Sequence, residues 1–119
     1  MFDWFEYFDL ARNLARQDNN ETSQRSAVSR AYYAIFCSAR NRLRWEGESI
    51  PKTGEAHRIV WDQFEKSAEK GRRKIAQDGR RLRRKRTKVD YDDEVVNLGY
   101  LVQDAMETAD KLILLLRSL

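Results

Sequence analysis

Apolar positions along the chain recur at spacings of three and four, and nowhere do they settle into strict alternation. Residues 2–17 place Phe5, Phe8 and Leu14 at helix-compatible spacings, and Asp18-Asn19-Asn20 ends the pattern. The stretch 22–45 carries the longest stripe, Val28, Ala31, Ile35, Ala39 and Leu43. Thr22 or Ser23 is its expected N-cap. Ala27, Tyr32, Ala34 and Phe36 widen the stripe to about half the circumference at 100° per residue, so this helix is expected to lie centrally. Gly47 to Gly54, with Pro51, reads as a loop. A third helix is expected from about Thr53, with Ile59, Val60, Phe64 and Ala68 inward and Gly71 interrupting it. A fourth runs from about Arg73 to Lys88. The last, from about Asp92 to Leu116, has the cleanest stripe: Leu98, Leu101, Val102, Ala105, Ala109, Leu112 and Leu116. With short loops the pattern predicts an all-α fold, an antiparallel bundle of four to five helices.

The fourth helix is where charge changes the picture. Between Arg72 and Lys88 stand ten Lys or Arg and one acid, Asp78, although the chain as a whole is only +4. The remainder, with 13 basic and 18 acidic residues, is net −5. Such a segment can attract phosphate, or meet an acidic patch on a partner. Ile75, Leu82 and Val89 form its one apolar stripe, seven residues apart. Arg80, Arg84 and Lys88 fall on the opposite face and are expected to reach solvent, with Arg81 and Arg83 beside them. Arg86 lies within roughly 40° of Leu82 and points back toward the bundle. A guanidinium there must be paired or line a cavity, and Asp90 and Asp92 are the nearest carboxylates, with Tyr91 between them. Two readings follow: a structural lock at a helix corner, or a polar pocket walled by Arg86 and Tyr91. Asp92 or Asp93 is the expected cap of the final helix.

At 119 residues the chain is long enough for one domain, residues 1–119. No apolar run approaches the roughly 20 residues of a membrane span. The acidic start MFDWFEYFDL lacks the basic region of a signal peptide. A lone cysteine, Cys37, forms no internal disulfide and fits a cytoplasmic setting. One His, one Cys and scattered carboxylates offer no zinc constellation, and no Gly-rich phosphate loop is present, so neither metal nor cofactor is expected.

In SRAYYAIF, Tyr33 falls outside the apolar stripe, beside Ser26, Ser29 and Arg40. It is either a partly exposed ring or, with Phe36, part of a subunit interface. This motif, Ser29 to Phe36, together with His57 in GEAHRIV and Arg86 to Asp92 in RTKVDYD, resembles the HEPN superfamily, in particular its small single-domain prokaryotic members. The resemblance spans roughly residues 5–115 in consistent order. It implies an all-helical bundle that dimerises, often encoded beside a minimal nucleotidyltransferase in toxin–antitoxin-like modules. Many HEPN proteins are metal-independent ribonucleases whose active site carries Arg followed four to six residues later by His.

Here that spacing is missing. Tyr91 stands five residues after Arg86, and the only histidine, His57, belongs to the third helix, where a helix-start hydrogen bond is its expected use. A tyrosine with an ordinary pKa near 10 is a poor base at neutral pH. The resulting expectation is a nucleotide- or RNA-associated HEPN module with Arg80, Arg83, Arg84, Arg86, Lys88, Asp90 and Tyr91 as binding residues. A divergent ribonuclease using Arg86 and Tyr91 is the first alternative, and an adaptor docking through its basic helix the second.

Overall fold

In the computed structural model, which describes residues 1–17 and 19–119, five helices follow one another: α1 (Glu6–Ala15), α2 (Glu21–Trp45), α3 (Ala56–Glu65), α4 (Lys70–Tyr91) and α5 (Leu98–Arg117). Asp18, part of the expected break, lies outside the described residues. The broadly apolar α2 is central as its pattern predicts, touching α1, α3, α4 and α5, while α4 also packs on α3 and α5. One contiguous core runs from Phe8 on α1 through Ala31, Tyr32 and Ile35 to Leu82 on α4 and Leu112 on α5.

Helix ends depart from the sequence expectations in instructive ways. The N-cap of α2 is Asn20, whose side chain accepts from the Ser23 N–H at 3.0 Å, rather than Thr22 or Ser23. That helix stops at a Schellman turn. Gly47, at φ 99°, sends its N–H to Arg44 O while the Glu48 N–H reaches Leu43 O at 2.9 Å. Gly71 does not interrupt α3. It sits inside α4, and the break falls between Glu65 and Lys70. Ala68 is accordingly exposed and Ile59 only half-buried. Val60 and Phe64 are fully buried as expected, and Trp61, also fully buried, joins them on α3's inner face.

α5 begins at Leu98 rather than Asp92, with Asn97 in the left-handed region at φ 55°. Asp92 instead closes α4 as its C-cap, and Asp93 caps nothing. Among the described residues no helix is long and apolar enough to cross a membrane.

Candidate functional site

The inward stripe of α4 places Ile75, Leu82 and Val89 in the core, and Arg86 lies buried with them. Its guanidinium stands over two aromatic faces contributed by α2, 5.4 Å from the Tyr32 ring centre and 5.5 Å from that of Tyr33. Asp90, one turn on, comes to 3.6 Å, beyond hydrogen-bonding distance, and is partly solvated. Nε of Arg86 has no hydrogen-bond partner. The cation is therefore held mainly by ring faces, with the carboxylate as a loose counter-charge.

Around those rings the structure assembles a cluster invisible to local spacing. His57, at the start of α3, shares a 2.6 Å hydrogen bond between its Nδ1 and the Tyr32 hydroxyl. The same hydroxyl accepts from Trp61 Nε1 at 3.3 Å. With one acceptor site of the hydroxyl taken by tryptophan, its proton is best donated to Nδ1, which puts the histidine proton on Nε2. Phe36 stacks on His57 at 4.0 Å, and Tyr33 meets the imidazole edge-on at 6.1 Å. Burial, reinforced by the charges of Arg83 and Arg86, pushes the His57 pKa down to about 4. Burial likewise drives the Tyr32 hydroxyl upward. At neutral pH both are neutral. The histidine thus lies in the field of two arginines from another helix, as a hydrogen-bonding group and a weak base.

The remaining basic residues divide sharply. Arg80 is half-buried and ion-paired rather than free in solvent. It crosses to α3, meeting Asp62 at 2.5 Å and Glu65 at 2.8 Å. Lys85 pairs with Asp104 of α5 at 2.9 Å, and Arg81 donates to the buried Thr108 hydroxyl at 2.7 Å. Arg84 and Lys88 are exposed as expected, and Arg83 is half-buried. Among the described residues none of these three has a carboxylate within ion-pair distance.

The corner after α4 is fastened by a residue the sequence reading missed. Arg25 of α2 donates to the carbonyls of Val89 (2.9 Å), Asp92 (2.6 Å) and Asp93 (3.0 Å). The Val89 carbonyl is among the acceptors a helix C-terminus leaves open, and those of Asp92 and Asp93 belong to the C-cap and the residue after it. The lock assigned to Arg86 thus has its main element elsewhere. Arginine's several donors suit it to three carbonyls, but no local pattern announces a contact more than sixty residues away. Tyr91 is exposed, whereas Arg86 is buried. Asp90 accepts from Ser29 Oγ at 3.3 Å.

Of the two expected interface residues, Tyr33 is half-buried, while Phe36 is buried within the protomer and offers almost no surface. The large exposed apolar side chains near the α4–α5 corner are Tyr91, Val96 and Tyr100. Among the described residues no three His, Cys, Asp or Glu side chains group closely enough to hold a metal ion.

No curated protein matches the chain, and no solved structure does. A family model described as HEPN domain matches residues 3–119, nearly the whole chain. The chain belongs to the HEPN domain family.

Proposed function

We propose that this protein is an RNA- or nucleotide-associated HEPN module that grips phosphate through α4 without relying on a ribonuclease Arg–His motif. In this reading it works in the cytoplasm as a homodimer, paired with a minimal nucleotidyltransferase in a toxin–antitoxin-like module. One observation carries the phosphate-binding part. The fold neutralises Arg80 and Lys85 with carboxylates and sets Asp90 near Arg86, yet among the described residues it gives Arg83, Arg84 and Lys88 none. Unpaired cations on one helix are the groups that release counterions from a nucleic-acid backbone. The groove beside them, about 360 Å³, is lined by Arg84 and Lys88 together with Arg81, Lys85 and Leu101.

A second reading, a metal-independent ribonuclease, is favoured by the convergence of His57 with Arg83 and Arg86. It is weakened by the depressed basicity of His57 and by the tie of its Nδ1 to Tyr32.

The test is binding of a short single-stranded RNA as a function of salt. Each phosphate contact contributes roughly 0.7 to the log–log slope for single strands, so Arg84→Gln/Lys88→Gln should flatten it by roughly 1.4. Equal binding by parent and variant at every salt concentration would overturn the reading. Cleavage of the same RNA, abolished by His57→Ala in a folded protein, would replace it with the ribonuclease. For the dimer, sedimentation showing a 14.1 kDa species at every concentration would be decisive against it.

A further inference from the structure

A pocket of about 390 Å³ lies between the C-terminal half of α2 and the loop leading into α3, away from the α4 groove. Arg40, Arg44, Lys52 and Thr53 line it, over a floor that includes Phe36 and Pro51. Three cations line it and, among the described residues, no carboxylate does. Arg40 and Arg44 stand one turn apart on the same helix, an arrangement that is itself mildly repulsive. Both act on the Cys37 thiol, opposing the larger upward push of burial, so their charges bear on one side of α2.

Their existing contacts position them without neutralising them. Arg44 donates through Nη2 to Ile50 O at 3.0 Å, tying the loop to the helix. Arg40 donates through Nε to Asn41 Oδ1 at 3.1 Å, with its guanidinium 5.6 Å over the Trp4 ring. Among the described residues Lys52 has no ion-pair partner. By contrast Arg42, on another face of the same helix, is matched to Glu46 at 2.9 Å. Among the described residues the fold therefore supplies an acid for the neighbouring arginine and none for this trio.

An occupant with more than one negative charge complements the three cations best. Phosphate fits. Arginine can grip it with paired N–H donors and lysine as a point charge, while the Thr53 hydroxyl can donate as well. The N-terminus of α3 adds a favourable dipole, although its Ala56 N–H is already committed to Thr53 O at 3.0 Å. Pro51, half-buried, gives apolar surface for the carbon part of a ligand, and the volume lies within the ~300–1,000 Å³ typical of small-molecule sites. Phe36 is also the ring stacked on His57, so the pocket adjoins the aromatic cluster.

We infer that this pocket is a phosphate subsite holding a nucleotide's phosphate, either of a free mononucleotide or of one residue in an RNA strand. The choice of nucleotide rests on the function proposed above, whereas the anion site rests on the pocket's own charge.

Titration with AMP and with a single-stranded RNA hexamer, followed by amide chemical shifts, separates the possibilities. Arg40→Gln/Lys52→Gln leaves the Arg44–Ile50 tie intact, so it should melt like the parent while losing at least tenfold in AMP affinity. Arg84→Gln/Lys88→Gln should bind AMP as the parent does, and inorganic phosphate should compete at the pocket in both proteins. If hexamer affinity also falls at least tenfold in the Arg40/Lys52 variant, the phosphate belongs to a strand. If only AMP affinity falls, it belongs to a free nucleotide. AMP that leaves the pocket amides unshifted in the parent, or binds the folded Arg40/Lys52 variant undiminished, overturns the inference. The α4 reading fails separately, when the Arg84/Lys88 variant retains full hexamer binding.

Discussion

Arg86 is a buried charge whose surroundings only partly compensate it. Its Nε lacks a partner, and Asp90 stands at 3.6 Å with its own hydrogen bond from Ser29 and access to water. Arg86→Ala therefore strands no buried carboxylate. It loses two cation–π contacts, worth about 0.5–2 kcal/mol each, together with packing, and should cost about 1–3 kcal/mol. Arg86→Met is more telling. Methionine keeps much of the length, makes favourable sulfur–aromatic contacts and removes both the charge and the unpaired donor. Replacing an imperfectly paired buried ion with an apolar residue of similar volume is often neutral or stabilising. Arg86→Met should thus unfold within about 1 kcal/mol of the parent in a urea titration, while losing any RNA or nucleotide binding that depends on the guanidinium. A loss above about 3 kcal/mol would make Arg86 a structural element. Its burial was legible in sequence because Leu82 and Val89 define the inward face of α4. Its companions were not. Tyr32, Tyr33 and His57 reach it from other helices, and the apolar stripe of α2 says nothing of what a tyrosine hydroxyl will meet.

The helices themselves were readable wherever one face is continuously apolar, which is why α2 and the register of α4 agree with their patterns. Polar ends misled. The acidic run Asp92-Asp93-Glu94 looks like the start of a helix, yet Arg25 holds the backbone there by its carbonyls and α5 begins only after the left-handed Asn97. Trp61 escaped notice because its neighbours Asp62 and Gln63 are polar, and its place depends on a glycine opposite. Gly79 of α4 lies so close to the indole that a Cβ there would sit 2.5 Å from Trp61 Cζ3. Alanine normally improves a helix interior by up to about 1 kcal/mol over glycine. At Gly79 the overlap must displace a fully buried ring, and overpacking of this kind costs about 1–3 kcal/mol. Gly71 offers the control, since nothing lies within 4 Å of the position its Cβ would take. The two substitutions should move thermal stability in opposite directions, Gly71→Ala slightly up and Gly79→Ala down by several degrees. A parent-like melt for Gly79→Ala would mean that α3 and α4 pack less tightly than the structure has them.

Across the whole molecule the basic segment is thinner than its sequence suggests, because folding pairs half of its cations with acids on α3, α5, the end of α2 and α4 itself. Of its ten cations, Arg72 meets Glu46, Lys74 meets Asp78, Arg80 meets Asp62 and Glu65, Lys85 meets Asp104, and Arg86 faces Asp90. These pairings join acid-rich and base-rich parts of the chain, and they set the response to acid. At Glu46 burial works against ionisation, but Arg72 and Arg42 outweigh it and lower the pKa. At Asp104 the hydrogen bond from Lys85 leads the same shift. Stability from these carboxylates is present above their unfolded pKa values, near 4, and is lost as pH falls through their lowered folded values. His57 acts earlier. Its pKa drops from 6.5 unfolded to about 4 folded, so between those values the unfolded chain binds more protons and stability falls as pH is lowered. At about 1.4 kcal/mol per pKa unit, discounted for partial exposure, the loss should be about 1–3 kcal/mol. Urea titrations from pH 7 to 4.5 should show this decline before the carboxylates contribute strongly. In His57→Gln, which retains hydrogen-bonding groups without a titrating ring, the same interval should be nearly flat. A decline of equal size in that variant would place the acid sensitivity outside the aromatic cluster. A flat parent would mean that His57 keeps its ordinary basicity beside Arg83 and Arg86, and so remains strong enough to serve as a catalytic base near neutral pH.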